Sequence, residues 1–216
     1  MRNPCFDNLL AVLNREDPPR PTLFEMFMHT ALYEKLAGPE YANPQDELGE
    51  MRLLIQAFQA AGYDYATVRG SAFRFPTGDQ AMKKTRSLND GSLIRDHRSF
   101  EEYPWPDPAE FDYSRLEKIA PDVPEGMKLV VMGPGGVLEN VIDLVGYENL
   151  CYMLVDDGEL VKDIFAAVGS RLVRYYEITA AYPTVGALIS NDDWGFKTQT
   201  MLAPGDMRRL VFPWHE

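Results

Sequence analysis

The chain has 216 residues, 45% of them hydrophobic, which is enough for a real core and is ordinary globular content. Its formal net charge of -12 argues against nucleic acid and anionic membrane surfaces as partners, because both require a basic footprint. Only Cys5 and Cys151 are present, so there is no disulfide framework. With no apolar run of signal-peptide or membrane-spanning length, a reducing, cytoplasmic setting is expected.

Asn3-Pro4 is a fair helix start, and Phe6, Leu9, Leu10 and Leu13 keep the spacing of one apolar helical face. Pro18-Pro19-Arg20-Pro21 forbids continuation, so an amino-terminal helix is expected over residues 3–16. Thr22 to Phe27 reads as a first strand, and Glu25 near its end is a candidate substrate-binding carboxylate. His29 reads as a helix-start or packing histidine. Ala31 to Ala37 is a short helix, and a longer one from Asn43-Pro44 carries Met51, Leu54, Ile55 and Phe58 on one face before stopping at Gly62. Tyr63 to Val68 is a second strand, with Asp64 in its lead-in turn. Arg69, just past its end, is a second candidate for binding substrate.

Residues 71–98 leave this rhythm. Phe73 and Phe75 alternate with polar residues, and Asn89-Asp90-Gly91 is a hairpin signal, so a β excursion is expected. Lys83, Lys84 and Arg86 form a basic cluster that reads as a solvated loop face. The Tyr103-Pro104-Trp105-Pro106-Asp107-Pro108 connector leads into a helix expected over 109–119. Met127 to Met132 is a third strand, followed by the turn Gly133-Pro134-Gly135-Gly136. Such a turn before a helix can cradle an anion on backbone amides, although it is neither a Walker A nor a GxGxxG pattern. Gly133 is therefore a candidate binding position. Helices are expected over 137–145, 147–155 and 159–182, with Cys151 on an apolar side.

Val185 to Ser190 reads as a fourth buried strand, with Gly186 allowing close packing. It runs into Asn191-Asp192-Asp193-Trp194-Gly195. Adjacent carboxylates at the carboxyl end of a buried strand are where parallel α/β folds put their chemistry, so Asp192 and Asp193 are the candidate catalytic residues. The blander reading is that both cap a turn. Pro204 opens the last helix, with Asp206 in its first turn. Four strands, each followed by helix, are expected to form the first half of a (β/α)8 TIM barrel as a single partial domain over 1–216.

Asp192-Asp193-Trp194-Gly195, then Ala203-Pro204, then Phe212-Pro213-Trp214-His215 resembles a signature of the uroporphyrinogen decarboxylase superfamily, with Ala203 in place of the usual serine. Asn8-Leu9-Leu10-Ala11 through Arg15-Glu16 to Arg20-Pro21 is similar to the opening of that superfamily. The resemblance implies a TIM barrel, with Trp194 walling a substrate pocket and Asp192 and Asp193 orienting substrate or holding a proton. In the true decarboxylases, an arginine-rich loop after strand one grips the substrate's carboxylates and a strand-two aspartate steers decarboxylation. Here no arginine lies between Arg20 and Arg52, and Ala66-Thr67-Val68-Arg69 stands where the aspartate would be.

The resemblance therefore points to the corrinoid-dependent methyltransferase-like branch, in which a methyl group passes between a corrinoid carrier and a zinc-activated thiolate. It spans roughly the first three-fifths of a family member, judged by usual barrel lengths. The branch's His-x-Cys zinc motif has no counterpart here, so zinc and a corrinoid protein are expected for a full-length relative and no metal for this chain alone. Uroporphyrinogen decarboxylase itself and a non-catalytic fragment or binding module are the alternatives. An incomplete barrel would leave unpaired strand edges, so self-association or a missing carboxyl-terminal half is expected.

Overall fold

Three short segments pair in parallel as one sheet, in the order β1 (Tyr65–Val68), β2 (Lys128–Met132), β3 (Val185–Ile189). The computed structural model describes residues 2–77, 88–89 and 93–216. The helices, in chain order, are α1 (Asp7–Leu13), α2 (Thr30–Ala37), α3 (Glu47–Ala60), α4 (His97–Glu102), α5 (Arg115–Lys118), α6 (Val137–Val145), α7 (Tyr147–Asp156) and α8 (Gly158–Ala180). The last helical stretch, α9 (Pro204–Asp206), widens into a π segment over Met207–Val211 and tightens to 3-10 over Phe212–Trp214. Pro213 supplies no amide for residue 209 and its ring crowds that carbonyl, which disfavours regular α turns there.

The TIM-barrel expectation is corrected by this architecture. The sheet of the described residues has three parallel strands, not the first four of a closing barrel. The segment that departs is Thr22–Phe27, which forms no strand. Its central backbone groups are spent on a side chain. The Glu25 amide donates to Tyr65 Oη at 2.8 Å, and the same hydroxyl donates back to the Glu25 carbonyl at 2.8 Å. A phenol thus takes the place of a ladder partner. Phe24 and Phe27 also stay well exposed, unlike the residues of a buried strand.

Two compact units emerge, one of Met1–Ala72, Asp112–Met132 and Tyr176–Ile189, the other of Phe73–Phe111, Gly133–Tyr175 and Ser190–Glu216. The first holds the sheet. Its core joins Ile55 and Phe58 of α3 to Tyr65, Ala66 and Val68 of β1 and to Leu129, Val130 and Val131 of β2. The fully apolar burial of β2's centre is the pattern of a strand covered on both faces. At Gly186 in β3, a Cβ would lie 2.5 Å from the Phe6 ring, so the glycine admits that ring against the strand. Asp64, at the lead-in to β1, is buried; it accepts from the Cys5 amide at 2.9 Å and pairs with the Arg20 guanidinium.

The second unit is helical. Phe73, Phe75, Phe111 and Tyr175 pack as an aromatic cluster, and Arg171 lies over the Trp105 ring at 4.9 Å. The expected helix over 109–119 is broken: Pro108–Glu110 is a 3-10 turn of this unit, and α5, which belongs to the first unit, begins only at Arg115 because Asp112 Oδ1 accepts from the Ser114 amide at 2.7 Å. Cys151, expected in the core, is exposed on α7, where Leu150 and Met153 are the buried residues. Of the expected β excursion over 71–98, residues 71–77 and 93–98 contain no strand; Lys83, Lys84, Arg86 and the Asp90-Gly91 turn lie outside the described residues. No helix among the described residues is long and apolar enough to cross a membrane.

Candidate functional site

The glycine-rich turn after β2 leads into α6, whose N-cap is Gly136 and so has no side chain to offer. The helix's first amides are nevertheless satisfied. Asp192 Oδ2 accepts from the Leu138 amide at 2.9 Å and Oδ1 from the Glu139 amide at 3.0 Å. The anion that this turn is suited to cradle is therefore a carboxylate of the chain itself, placed where helix amides and the helix dipole favour negative charge. A Cβ on Gly136 would sit 2.1 Å from the Asp192 carboxyl carbon, so only glycine leaves room for it. Glu139, at the third helical position, reaches back to accept from the Gly136 amide at 2.8 Å, one half of a capping box whose other half Asp192 supplies from a distance.

Asp192 has a second partner. Its side chain is fully buried, and Oδ2 also faces His215 Nε2 at 3.2 Å. The other ring nitrogen, His215 Nδ1, lies 3.0 Å from Ser190 Oγ. A carboxylate can only accept, so Nε2 carries the proton that points at Asp192, and Nδ1 is left to accept from the serine hydroxyl. Ser190 is exposed, whereas the His215 side chain is only 11% exposed. The result is a chain of hydrogen bonds from the α6 amides through Asp192 and His215 to a hydroxyl at the surface.

Aromatic rings hold the imidazole. Trp194 meets the His215 ring edge-on with centroids 5.3 Å apart, and Phe212 packs on Trp194 at 4.9 Å. Trp194 is itself positioned by a small hairpin in which the Met201 amide donates to the Trp194 carbonyl at 2.8 Å and Gly195 bridges Thr200. The hairpin is anchored by Tyr147, whose hydroxyl donates to the Met201 carbonyl at 2.7 Å.

Burial pushes the Glu139 carboxyl above its ordinary 4.5, and the negative charges of Asp192 and Asp193 add to the rise. Glu139 therefore keeps its proton to a higher pH than a solvated glutamate does. Asp193 is exposed and accepts from the Gly195 amide at 3.4 Å, the geometry of an Asx turn.

The structure thus brings Asp192 and Trp194 together with His215, Ser190 and Glu139, and places Gly133, buried, at the start of the turn that Asp192 caps. Glu25 and Arg69 belong to the other unit. Glu25 is held by Tyr65 as described, its carboxylate accepting from the Met26 amide at 3.1 Å, and Arg69 lines a cavity at the carboxyl end of β1. Sequence reasoning left His215 as part of a motif and missed Ser190 and Glu139. Only Glu139 carried a local signal, the capping-box spacing from Gly136.

Comparison with protein-family models, with curated proteins and with solved structures finds no match. Among the described residues, no three His, Cys, Asp or Glu side chains gather closely enough to hold a metal ion. The described residues therefore do not fit a zinc site of the kind the methyltransferase branch carries.

Proposed function

We propose that the chain is a methyltransferase-like enzyme of the uroporphyrinogen decarboxylase superfamily, cytoplasmic, handling a methyl group between a corrinoid carrier and a thiol or similar acceptor. One observation carries the reading. The two motif segments on which the resemblance rests meet in a single hydrogen-bonded centre, Asp192 with His215, walled by Trp194 on Phe212.

A thiol is a poor nucleophile until it loses its proton. In this centre the acceptor's proton passes to Ser190 Oγ as the serine's own proton moves to His215 Nδ1. Asp192 holds the imidazole in the tautomer that can accept it and offsets the charge that forms. The thiolate so formed would be the nucleophile for a methyl group, and a methyl-corrinoid, when bound, would supply that carbon and retain the electron pair of the broken cobalt–carbon bond. Burial raises the Glu139 carboxyl beside this centre, so Glu139 is suited to holding a proton.

The test is demethylation of methylcobalamin by the purified chain with a small thiol, followed by the corrinoid absorbance change. Thiol-dependent turnover that falls at least about a hundredfold in His215→Gln supports the reading. Turnover at the uncatalysed rate would leave a non-catalytic binding module, which the use of Asp192 as a helix cap favours. Conversion of uroporphyrinogen to coproporphyrinogen would instead place the chain among the decarboxylases.

A further inference from the structure

The cavity that Arg69 lines, of about 210 Å³, opens in the sheet-bearing unit at the carboxyl ends of β1 and β2. Its apolar wall includes Met51 and Met132, and its charged lining has both signs: Arg69 and Arg115 against Glu47 and Glu50. The size lies below the roughly 300–1,000 Å³ of a drug-sized pocket, which excludes a porphyrinogen, a corrinoid or a nucleotide.

The charges are incompletely matched within the protein. Arg115 reaches Glu47 only at 3.4 Å through Nη2, and its Nε is buried without any hydrogen-bond partner. A buried guanidinium N–H with no acceptor is costly, and a carboxylate is the group whose geometry suits it. Arg69 and Glu50 line the same cavity, are exposed, and make no ion pair among the described residues. A dianion would be repelled by the two glutamates and a dication by the two arginines. A wholly apolar molecule would leave the exposed Arg69 and Glu50 charges unmatched. What satisfies all of these groups is a small molecule with one negative end, one positive end and an apolar body.

We infer that this cavity binds a small zwitterion, an α-amino acid with an apolar side chain, its carboxylate toward Arg115 and Arg69 and its ammonium toward Glu50 and Glu47. The methionine side chains are unbranched and polarisable, so they suit an aliphatic or thioether group. The inference stands on the cavity alone and does not depend on methyl transfer.

Isothermal titration of the full chain with L-leucine tests it, beside N-acetyl-L-leucine, which lacks the ammonium, and L-leucinol, which lacks the carboxylate. Saturable binding of L-leucine is expected, with each derivative at least about tenfold weaker. Arg69→Gln should weaken L-leucine about tenfold while leaving L-leucinol unchanged, and Glu50→Gln should weaken L-leucine but not N-acetyl-L-leucine. Both residues are at the surface, so circular dichroism should show both variants folded. Absence of saturable L-leucine binding at millimolar concentrations would overturn the inference. Equal affinity for all three compounds would do so too.

Discussion

His215 Nε2 lies 3.2 Å from Asp192 Oδ2, across 23 residues of chain, and that carboxylate also caps the amino terminus of α6. One buried group therefore performs two tasks. It satisfies helix amides that Gly136 cannot reach, and it sets the tautomer of the only imidazole in the centre. Capping of α6 and orientation of the imidazole are coupled through it.

Asp192→Ala should remove the cap and leave two part-buried amides and the imidazole without their acceptor. A loss of about 2–3 kcal/mol is expected in urea denaturation. Gly136→Ala should cost about 1–3 kcal/mol on its own, because the new methyl collides with the Asp192 carboxyl group. Combined, the two substitutions should cost clearly less than their sum, since the collision disappears with the carboxylate. Strict additivity would show that Gly136 and Asp192 do not meet.

Glu139 titrates above its ordinary 4.5 in the folded chain, so folding favours its protonated form. Its favourable contribution is complete below the unfolded value and is lost as pH rises through the folded one. Glu139→Gln keeps an acceptor for the Gly136 amide and removes the repulsion from Asp192. The variant should match the wild type at pH below 4 and exceed it at pH 7. Thermal melts at the two pH values decide it.

Tyr65→Phe should free the segment around Glu25. The phenol makes two 2.8 Å hydrogen bonds to the Glu25 backbone, and burial pushes its pKa up to about 12, so it stays a donor throughout the working range. A loss of about 1–2 kcal/mol is expected, with faster hydrogen exchange at the Glu25 amide and little change in β1.

Asp64→Asn should destabilise the sheet-bearing unit. The buried carboxylate is shared by Arg20 and the Cys5 amide, and the neutral amide leaves the guanidinium without its counter-charge. Because the Arg20 side chain is 28% exposed, the expected loss is about 2–3 kcal/mol, below that of a wholly buried pair. Urea denaturation measures it.

Local pattern determined much of this protein on its own. Apolar spacing places α3, with Gly62 at φ +87 just past its end, and β-branched runs place β2 and β3 within a residue or so of the observed limits. His29 was legible as a helix start, and its Nδ1 does accept from the Ala31 amide at 3.2 Å. These features depend on neighbours a few residues away, where hydrogen-bonding and steric rules are short-ranged. Three things were decided only by tertiary structure. Thr22–Phe27 has strand composition, yet a tyrosine 40 residues later takes its backbone groups, so no ladder forms. Cys151 sits in an apolar-looking stretch, yet it faces outward because Leu150 and Met153 take the buried side of a short helix. The anion suited to the glycine-rich turn proved to be Asp192, more than 50 residues on. Pairing between distant segments depends on which polar groups find partners when the chain collapses, and no window of sequence records that.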